Sequence, residues 1–515
     1  MASALSGLLL FACFPSLRWH LLVWVACAPL VAALVREPRC GRGFLLAYVT
    51  GAVFLAGSCY WFAFVMQQYG GMGPALALGV LVLYVVVFSV FFGAFGLVLS
   101  WVARSSRVAA LALAPFLWVA MEIARTYLIT GVPWNLLGYA VEAAGLRQLA
   151  SFTAVYGLSF LAAVTSPLLA WLCLGPQRKP AWAVLTSWLA LLVVANWAMT
   201  PPPSPPGANS VYLVQPDIAM DEASVVKWAP WRDPAPLEGL VARSIASVGQ
   251  EGNPGATPLI VWPENPAPFY FERDPIFRSA VERMARQAHA YVVIGSVNYA
   301  DRENTQPKNS AIVLDPEGRV LLAYDKMHLV PFGEYVPAWA LAGLVGKITH
   351  EAGNFVSGNS YSVAHTRSGA IGVFICYEAI FPQLVRRLVA DGPGVLVNIS
   401  NDAWFGDTSA AAQHLEMARL RAVENRRFLL RATNDGITAV IDPYGRVRGR
   451  LPRHQVAVLA ERFDYLAART FYTAHGDVFA WLCVAIAAAT VAWRAMSPGR
   501  QIKNQKAKIK NQKQT

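Results

Sequence analysis

Long apolar runs constrain the fold of this chain more than any other feature. A helix needs roughly 17–25 apolar residues to cross about 30 Å of hydrocarbon. Runs of this kind occur at 19–35, 44–65, 74–101, 108–129, 149–174, 181–199 and 477–494. The apolar stretch 2–14 lacks the charged start and the clear cleavage site of a signal peptide, so we interpret it as a short first span. The sequence therefore predicts seven spans, a polar region and an eighth span.

The composition also indicates a membrane protein. Of the 515 residues, 56% are hydrophobic and 14% are charged, whereas a soluble domain has roughly 45–50% apolar and about 25% charged residues. The net charge of +12 arises from short basic clusters between the apolar runs and from the C-terminal tail. This distribution is typical of membrane topology signals and not of a duplex-binding face, so we expect no nucleic-acid partner.

Basic residues mark alternate loops. They follow the second, fourth, sixth and eighth predicted spans, whereas the loop 67–73 after the third span carries no charge. The positive-inside rule then places both termini in the cytoplasm and residues 200–476 on the far side. The predicted organisation begins with a transmembrane domain of about seven helices (1–200) and a proline-rich linker (201–210). An exported α/β domain (211–470), a last transmembrane helix (477–494) and a basic cytoplasmic tail (495–515) follow.

Short β-rich runs alternate with helical patterns after the linker. The predicted strands lie at 211–215, 259–262, 291–299, 311–314, 320–324, 370–376 and 395–399, and the predicted helices at 233–249, 274–289 and 409–428. Turn signals at 315–318 and 442–445 join strands into hairpins. This alternation predicts an α/β domain that is large enough for its own core.

Three predicted strands end in polar residues that strand propensity does not explain. Glu264 follows one strand, Lys326 follows another, and Cys376 follows the run GAIGVFI. Ligands of α/β sheets gather at the carboxyl ends of strands. A carboxylate can take the thiol proton, and an ammonium with a backbone N–H can stabilise an acyl-transfer oxyanion. Glu334 could keep a buried Lys326 charged.

Each of these residues also has a plain structural interpretation. Glu264 could cap a turn, Lys326 could be a surface lysine, and a lone buried cysteine such as Cys376 is often inert. Cys376 is one of seven cysteines and the only one in the polar region, with no CxxC pair in the chain. His328, His365 and His414 lack ligand spacing, so we expect no metal. The joint occurrence of the three residues is far more specific than any one of them.

Three motifs together resemble the carbon–nitrogen hydrolase (nitrilase) superfamily. They are Trp262-Pro263-Glu264, the segment from Asp325-Lys326 to Gly333-Glu334, and Cys376-Tyr377-Glu378. The surrounding spans make the chain similar to the apolipoprotein N-acyltransferase family, a membrane-embedded branch that completes bacterial lipoprotein maturation. The resemblance implies an α-β-β-α sandwich beside about eight membrane helices, a Glu264–Lys326–Cys376 triad and no cofactor.

The resemblance also implies supporting and substrate-binding residues. Glu334, Tyr377 and Glu378 would support the triad, and Trp228 would lie on an active-site loop. Trp339 belongs to an apolar segment, 336–345, that could dip into lipid or pack on the domain core. Trp404 and Phe405 could line an acyl pocket or fill the core.

The implied reaction is a two-step acyl transfer. Cys376 would take an acyl chain from the sn-1 position of a phospholipid and pass it to the N-terminal amine of a diacylated apolipoprotein. The implied protein is a monomer in the bacterial inner membrane, with its catalytic domain in the periplasm. Two alternatives remain at this point, a membrane-tethered amidase or nitrilase that uses water as acceptor, and a non-enzymatic transporter or receptor.

Overall fold

The computed structural model describes residues 1–174, 178–249, 256–301, 303, 305–335 and 355–496. The segment 336–345 with Trp339, and the tail from residue 497, lie outside the described residues. The helices before the linker are α1 Ala2–Ala12, α2 Ala28–Arg36, α3 Cys40–Ser58, α4 Trp61–Gln68, α5 Pro74–Ala103, α6 Arg107–Tyr127, α7 Ala144–Arg147, α8 Ala150–Leu174 and α9 Arg178–Ala198. The later helices are α10 Glu222–Lys227, α11 Ala235–Ser247, α12 Pro275–Ala288, α13 Pro382–Ala390, α14 Ala410–Asn425, α15 Phe471–His475 and α16 Val478–Met496.

Six of the described helices are long and apolar enough to cross a membrane, namely α3, α5, α6, α8, α9 and α16. The first two predicted spans are shorter than expected. Helix α1 has 11 residues, and the run 19–35 divides into a 3-10 helix, His20–Trp24, and α2. A proline in the first turn of α2 explains the break, because proline lacks the N–H that a continuing helix would need. The predicted total of about eight spans is therefore approximate.

The polar region forms two six-stranded sheets. The strands are β1 Asn209–Gln215, β2 Leu259–Val261, β3 Tyr291–Tyr299, β4 Pro307–Leu314, β5 Val320–Asp325, β6 Val363–His365, β7 Ala370–Ile375, β8 Val395–Ser400, β9 Phe428–Thr433, β10 Ala439–Ile441, β11 Val447–Arg450 and β12 Ala457–Phe463. The strand orders are β12-β1-β2-β3-β4-β5 and β11-β10-β9-β8-β7-β6. In each sheet three neighbouring strands run parallel, β1-β2-β3 and β7-β8-β9. Their carboxyl ends therefore meet at one edge, where α/β sheets bind ligands.

The sheets pack face to face and are covered by helices on both outer sides. Apolar residues such as Val261, Val373 and Leu430 fill the space between the sheets. Helices α11 and α12 cover the first sheet through residues such as Leu240 and Phe277, and α13 and α14 cover the second. This arrangement confirms the predicted α-β-β-α sandwich.

The sandwich contacts the membrane helices through α13 and α14. The buried residues of these two helices belong to the same apolar core as those of α2, α3, α6 and α8. Helix α8 is interrupted at Ala154, where φ is 54° and ψ is −160°. The carboxylate of Glu424 in α14 accepts a hydrogen bond from the Val155 N–H at this interruption, over 3.1 Å. Because Glu424 also pairs with Arg421 at 2.9 Å, polar contacts fix the position of α14 on the bundle.

The proline-rich segment after α9 is held against the second sheet. Arg446 donates hydrogen bonds to the carbonyls of Pro201 and Pro202, and Arg448 donates one to the carbonyl of Pro205. The linker is therefore an extended segment fixed to β11, and not a free tether.

Candidate active site

The structure brings Glu264 and Lys326 into direct contact. Glu264 follows β2, an interior strand of the first sheet, and Lys326 follows β5 at one edge of the same sheet. The Lys326 Nζ lies 3.1 Å from Oε1 of Glu264 and 2.9 Å from Oε1 of Glu334. The Lys326 side chain is 1% exposed, so the ammonium has exchanged water for two carboxylates. Burial opposes its charge, but Glu264 and Glu334 outweigh burial and hold the pKa of Lys326 well above its usual value.

Cys376 lies beside this cluster, at the end of β7 in the facing sheet. Its φ of 49° lies in the left-handed region, a conformation that costs about 1–2 kcal/mol for a residue with a Cβ. The residue begins a 3-10 helix, Cys376–Ile380, so the chain turns sharply at the thiol. Burial raises the pKa of the Cys376 thiol, Glu264 adds to this shift and Lys326 opposes it. The thiol is therefore protonated at neutral pH, and a nucleophilic role would require a base.

Glu378 connects the cysteine segment to the lysine segment. Its carboxylate accepts hydrogen bonds from the N–H groups of Ile375, Met327 and His328, at 2.7, 2.7 and 3.1 Å. The Tyr324 hydroxyl donates a fourth, at 2.9 Å. Burial raises the pKa of Glu378 to about 7, and the N–H donors oppose this shift. Glu378 therefore joins the ends of β5 and β7 through hydrogen bonds from both.

Asn309 is a site residue that the sequence interpretation missed. Its Nδ2 donates to Oε1 of Glu264 at 2.7 Å and to Oε1 of Glu334 at 2.8 Å. Its carbonyl also accepts from the Lys326 N–H at 2.8 Å. Asn309 thus orients both carboxylates that hold the lysine. Asn309 precedes the predicted strand 311–314, and its buried place within β4 is visible only in the structure.

The chain is similar to known proteins over most of its length. Residues 214–465 match the family model of carbon-nitrogen hydrolases, and residues 6–168 match that of the apolipoprotein N-acyltransferase N-terminal domain. An apolipoprotein N-acyltransferase of Geobacter metallireducens is 38% identical over 96% of this chain and 94% of its own length. One from Azotobacter vinelandii is 34% identical over 78% of this chain and 76% of its own length. The chain belongs to the apolipoprotein N-acyltransferase family.

In this apolipoprotein N-acyltransferase family member, several aromatic candidates lie at the boundary with the membrane helices. Phe405 contacts the ring of Trp61 at 5.1 Å, and Trp404 contacts Tyr69 at 4.8 Å. The Tyr377 hydroxyl donates to the carbonyl of Gly131 over 3.5 Å. These residues therefore join the strand ends of the candidate site to α4 and to the loop after α6.

Trp228 occupies a different place, on the outer side of the first sheet. It ends α10 and packs against the Phe269 ring, with centroids 6.5 Å apart. The preceding segment still reaches the strand ends, because the Met220 sulfur accepts a hydrogen bond from the Asn401 side chain at 3.2 Å. Asn401 in turn donates its backbone N–H to Oε2 of Glu264 at 2.9 Å.

One group of potential metal ligands occurs away from this site, within the part of the chain that the structure describes. Donor atoms of Asp217, Asp435 and His454 lie within 4.8 Å of one another. Arg453 pairs with Asp435 at 2.9 Å and so supplies the positive charge that a metal would otherwise provide. This donor set does not favour a cation.

Proposed function

We propose that this protein transfers an acyl chain from the sn-1 position of a phospholipid to the N-terminal α-amine of the diacylglyceryl-cysteine of an apolipoprotein. The observation that carries the proposal is the Lys326 ammonium, held by Glu264 and Glu334 beside the Cys376 thiol. This set contains a nucleophile, a base and an oxyanion partner, which are the parts that acyl transfer needs.

The first half-reaction forms a thioester. Glu264 takes the proton of the Cys376 thiol as the sulfur attacks the ester carbonyl. Lys326 and a backbone N–H stabilise the oxyanion of the tetrahedral intermediate, and the loss of one such donor typically costs about 10²–10³ in rate. The carbon–oxygen bond then breaks, and the protonated Glu264 returns its proton to the departing lysophospholipid oxygen.

The second half-reaction transfers the acyl chain to nitrogen. The α-amine of the lipoprotein attacks the thioester, and Glu264 takes a proton from that amine. The carbon–sulfur bond breaks, and the Cys376 thiolate takes this proton back from Glu264. In this scheme Glu334 keeps Lys326 charged, and Tyr377 and Glu378 hold the cysteine segment in place. Trp228, Trp404, Phe405 and Trp339 remain candidates for contact with the substrates.

The position of the sandwich supports lipid substrates. Helices α13 and α14 pack on the membrane helices, and Tyr377, next to Cys376, contacts the loop after α6 through Gly131. A thiol placed next to a membrane domain suits an ester of the bilayer better than a soluble amide.

The hydrogen bonds of the basic loops support the proposed topology, with the termini in the cytoplasm of the bacterial inner membrane and residues 211–470 in the periplasm. Arg36 donates to the carbonyl of Cys173, and Arg104 donates to that of Pro38. Arg494 lies over the Trp101 ring at 5.6 Å. The basic residues thus gather at one end of the bundle, whereas Ser58, at the other end of α3, contacts the catalytic domain through Gln413. This separation agrees with the positive-inside rule.

The test is acyl labelling of the purified full-length protein. Incubation with a phospholipid labelled in its acyl chain should give hydroxylamine-sensitive label on the native protein and none on Cys376→Ala. Cys173→Ala is the matched control, because Cys173 is an exposed free cysteine, and it should label like the native protein. No label on the native protein, or equal label on Cys376→Ala, contradicts the proposal.

A second step separates transfer from hydrolysis. Addition of a diacylated lipopeptide should move the label from Cys376 to the peptide N-terminus. Discharge to water alone would favour the amidase alternative, because the same thioester serves both reactions.

A further inference from the structure

The backbone at Cys376 takes a conformation that its surroundings must maintain. Its φ of 49° is unfavourable for any residue with a Cβ, and the residue is 8% exposed. Residues held in such conformations persist only when neighbouring contacts fix them. The contacts of the Cys376 peptide therefore decide where the thiol points.

His414 supplies one of these contacts. Its Nε2 lies 3.1 Å from the carbonyl oxygen of Cys376, and its ring is fully buried. Because a carbonyl only accepts, Nε2 carries the hydrogen and donates. The Cys376 carbonyl and the Tyr377 N–H belong to one planar trans peptide and point in opposite directions. The bond from His414 thus also fixes the direction of the Tyr377 N–H.

The Nδ1 side of the His414 ring contacts charged groups. His414 Nδ1 lies 3.2 Å from Arg431 Nη2 and 3.0 Å from Asp402 Oδ1, and Arg431 pairs with Asp402 at 2.6 Å. Burial and the Arg431 charge lower the pKa of His414, so the ring is neutral and Nδ1 accepts from Arg431. These contacts leave the ring one orientation.

Asp402 also accepts from a residue beside the thiol. Ser400 donates to Asp402 Oδ1 at 2.8 Å, and its hydroxyl lies close enough to the Cys376 thiol to favour the thiolate. Asp402 is therefore connected to the cysteine carbonyl through Arg431 and His414. Ser400 connects it to the surroundings of the sulfur.

The membrane domain, defined here as residues 1–200, contacts the face of the His414 ring. Trp134, in the loop after α6, stacks on His414 with centroids 5.8 Å apart and planes at 28°. The Trp134 indole N–H donates to Oε1 of Gln413 at 2.7 Å. Gln413 Nε2 in turn donates to the carbonyls of Pro15 and Ser58, at 2.9 and 3.0 Å. The turn of α14 that carries His414 is thus fastened to the membrane domain.

We propose that His414 is a positioning residue that sets the 376–377 peptide, and that Trp134 of the membrane domain keeps its ring in place. The proposal rests on the proposed function of Cys376 as the nucleophile. It makes the geometry of the nucleophile depend on the seating of the catalytic domain on the membrane domain.

Two amide variants test the role of His414. The amide of His414→Gln reaches the position of Nε2 and can still donate to the Cys376 carbonyl, whereas the amide of His414→Asn reaches only the position of Nδ1. Small misplacements of reacting groups cost about 10²-fold in rate. We expect His414→Asn to lose about 10²-fold in kcat for thioester formation, with KM within twofold of native, and His414→Gln to stay within about tenfold of native. His365→Gln, a change at an exposed histidine, is the matched control.

Hydrogen exchange gives a readout that needs no lipid substrate. The amides of 375–380 should exchange faster in His414→Asn but not in His414→Gln, and those of β3 should be unchanged in both. Equal losses of kcat in the two variants, or native kcat in His414→Asn, would overturn the proposal. If the native protein forms no thioester, the proposed function fails, and the exchange comparison alone then decides the role of His414.

The contact with the membrane domain is tested with Trp134→Phe. This change keeps an aromatic ring and removes the indole N–H that donates to Gln413. We expect about a tenfold loss of kcat, and we expect the double variant with His414→Asn to be no slower than His414→Asn alone, because both changes act through one ring. A double variant whose loss of kcat equals the product of the two single losses would overturn the link between Trp134 and His414. Native kcat in Trp134→Phe would overturn it as well. Trp134→Phe also serves alone if the His414 variants do not fold.

Discussion

The substitution Glu334→Gln tests the proposed role of Lys326 most sharply. Glu334 supplies one of the two carboxylate oxygens within 3.1 Å of the Lys326 ammonium, and it also accepts from Asn309 and from the Val330 N–H. Glutamine has nearly the same shape and keeps an acceptor, but it removes the negative charge. Glu264 would then be the only carboxylate that balances the charge of Lys326. The two would form a closer ion pair, which would make Glu264 a weaker base and draw the ammonium away from the oxyanion.

The contacts give the size of the effect. A hydrogen bond to a charged group is worth about 1.5–3 kcal/mol, and about 1.4 kcal/mol corresponds to a factor of ten in rate. Since the Lys326 side chain is 1% exposed, water cannot replace the lost partner. We therefore expect the rate of thioester formation to fall by about 10–150-fold.

The assay is single-turnover acylation by labelled phospholipid, run beside thermal unfolding. Glu317→Gln is the matched control, because the Glu317 side chain is 50% exposed on the turn between β4 and β5. The control should acylate at the native rate. A rate for Glu334→Gln within twofold of native would contradict the role of Glu334 in holding Lys326, and so would an equal loss in the control.

Three further predictions follow from the same contacts. The raised pKa of the Cys376 thiol leaves it protonated, so its alkylation by iodoacetamide should accelerate steadily from about pH 7 to about pH 9; a plateau below pH 8 would show a thiolate instead. Tyr324→Phe removes a buried donor to Glu378 and should lower the free energy of unfolding by about 1 kcal/mol; an unchanged unfolding midpoint contradicts this. In the proposed topology the exposed Cys173 faces the cytoplasm, so a membrane-impermeant maleimide should label it in inverted vesicles and not in intact spheroplasts. Labelling in spheroplasts would reverse the proposed orientation.

Much of the catalytic domain could be predicted from local sequence patterns. All seven predicted strands are present, and 291–299 has the observed bounds of β3. Strand β9 was missed because Arg431 interrupts its apolar run. Its charge is satisfied by Asp402, 29 positions away in the sequence, and no local pattern shows such a partner.

The membrane helices were predicted less accurately at the N-terminus. Hydropathy identified the apolar runs, but it does not register that Pro29 begins a new helix or that the run 44–65 divides between α3 and α4. The break between α3 and α4 coincides with contacts to α14, whose Gln413 accepts from Trp61 and donates to the Ser58 carbonyl. These contacts join distant parts of the chain, whereas hydropathy is a local quantity.

The motifs identified the main residues of the candidate site, but not Asn309, which orients two of them. Lys326 contacts Glu264 and Glu334, and Glu378 accepts from the neighbouring Met327 N–H. The catalytic roles of these residues stay predictions. Asn309, by contrast, lies in no motif of the resemblance. Its importance follows only from the pairing of β4 with β5, which aligns Ser310 with Asp325 and so places Asn309 against the start of the lysine segment.

The most direct test of the account is the location of the acyl chain on the protein. Native protein mixed with a phospholipid of defined acyl composition would be digested and mapped by mass spectrometry at mildly acidic pH, where thioesters persist. We expect one sn-1 acyl chain on the peptide that contains Cys376, removed by hydroxylamine and absent from Cys376→Ala. An acyl chain on another residue, or none on native protein that has turned over phospholipid, would contradict it.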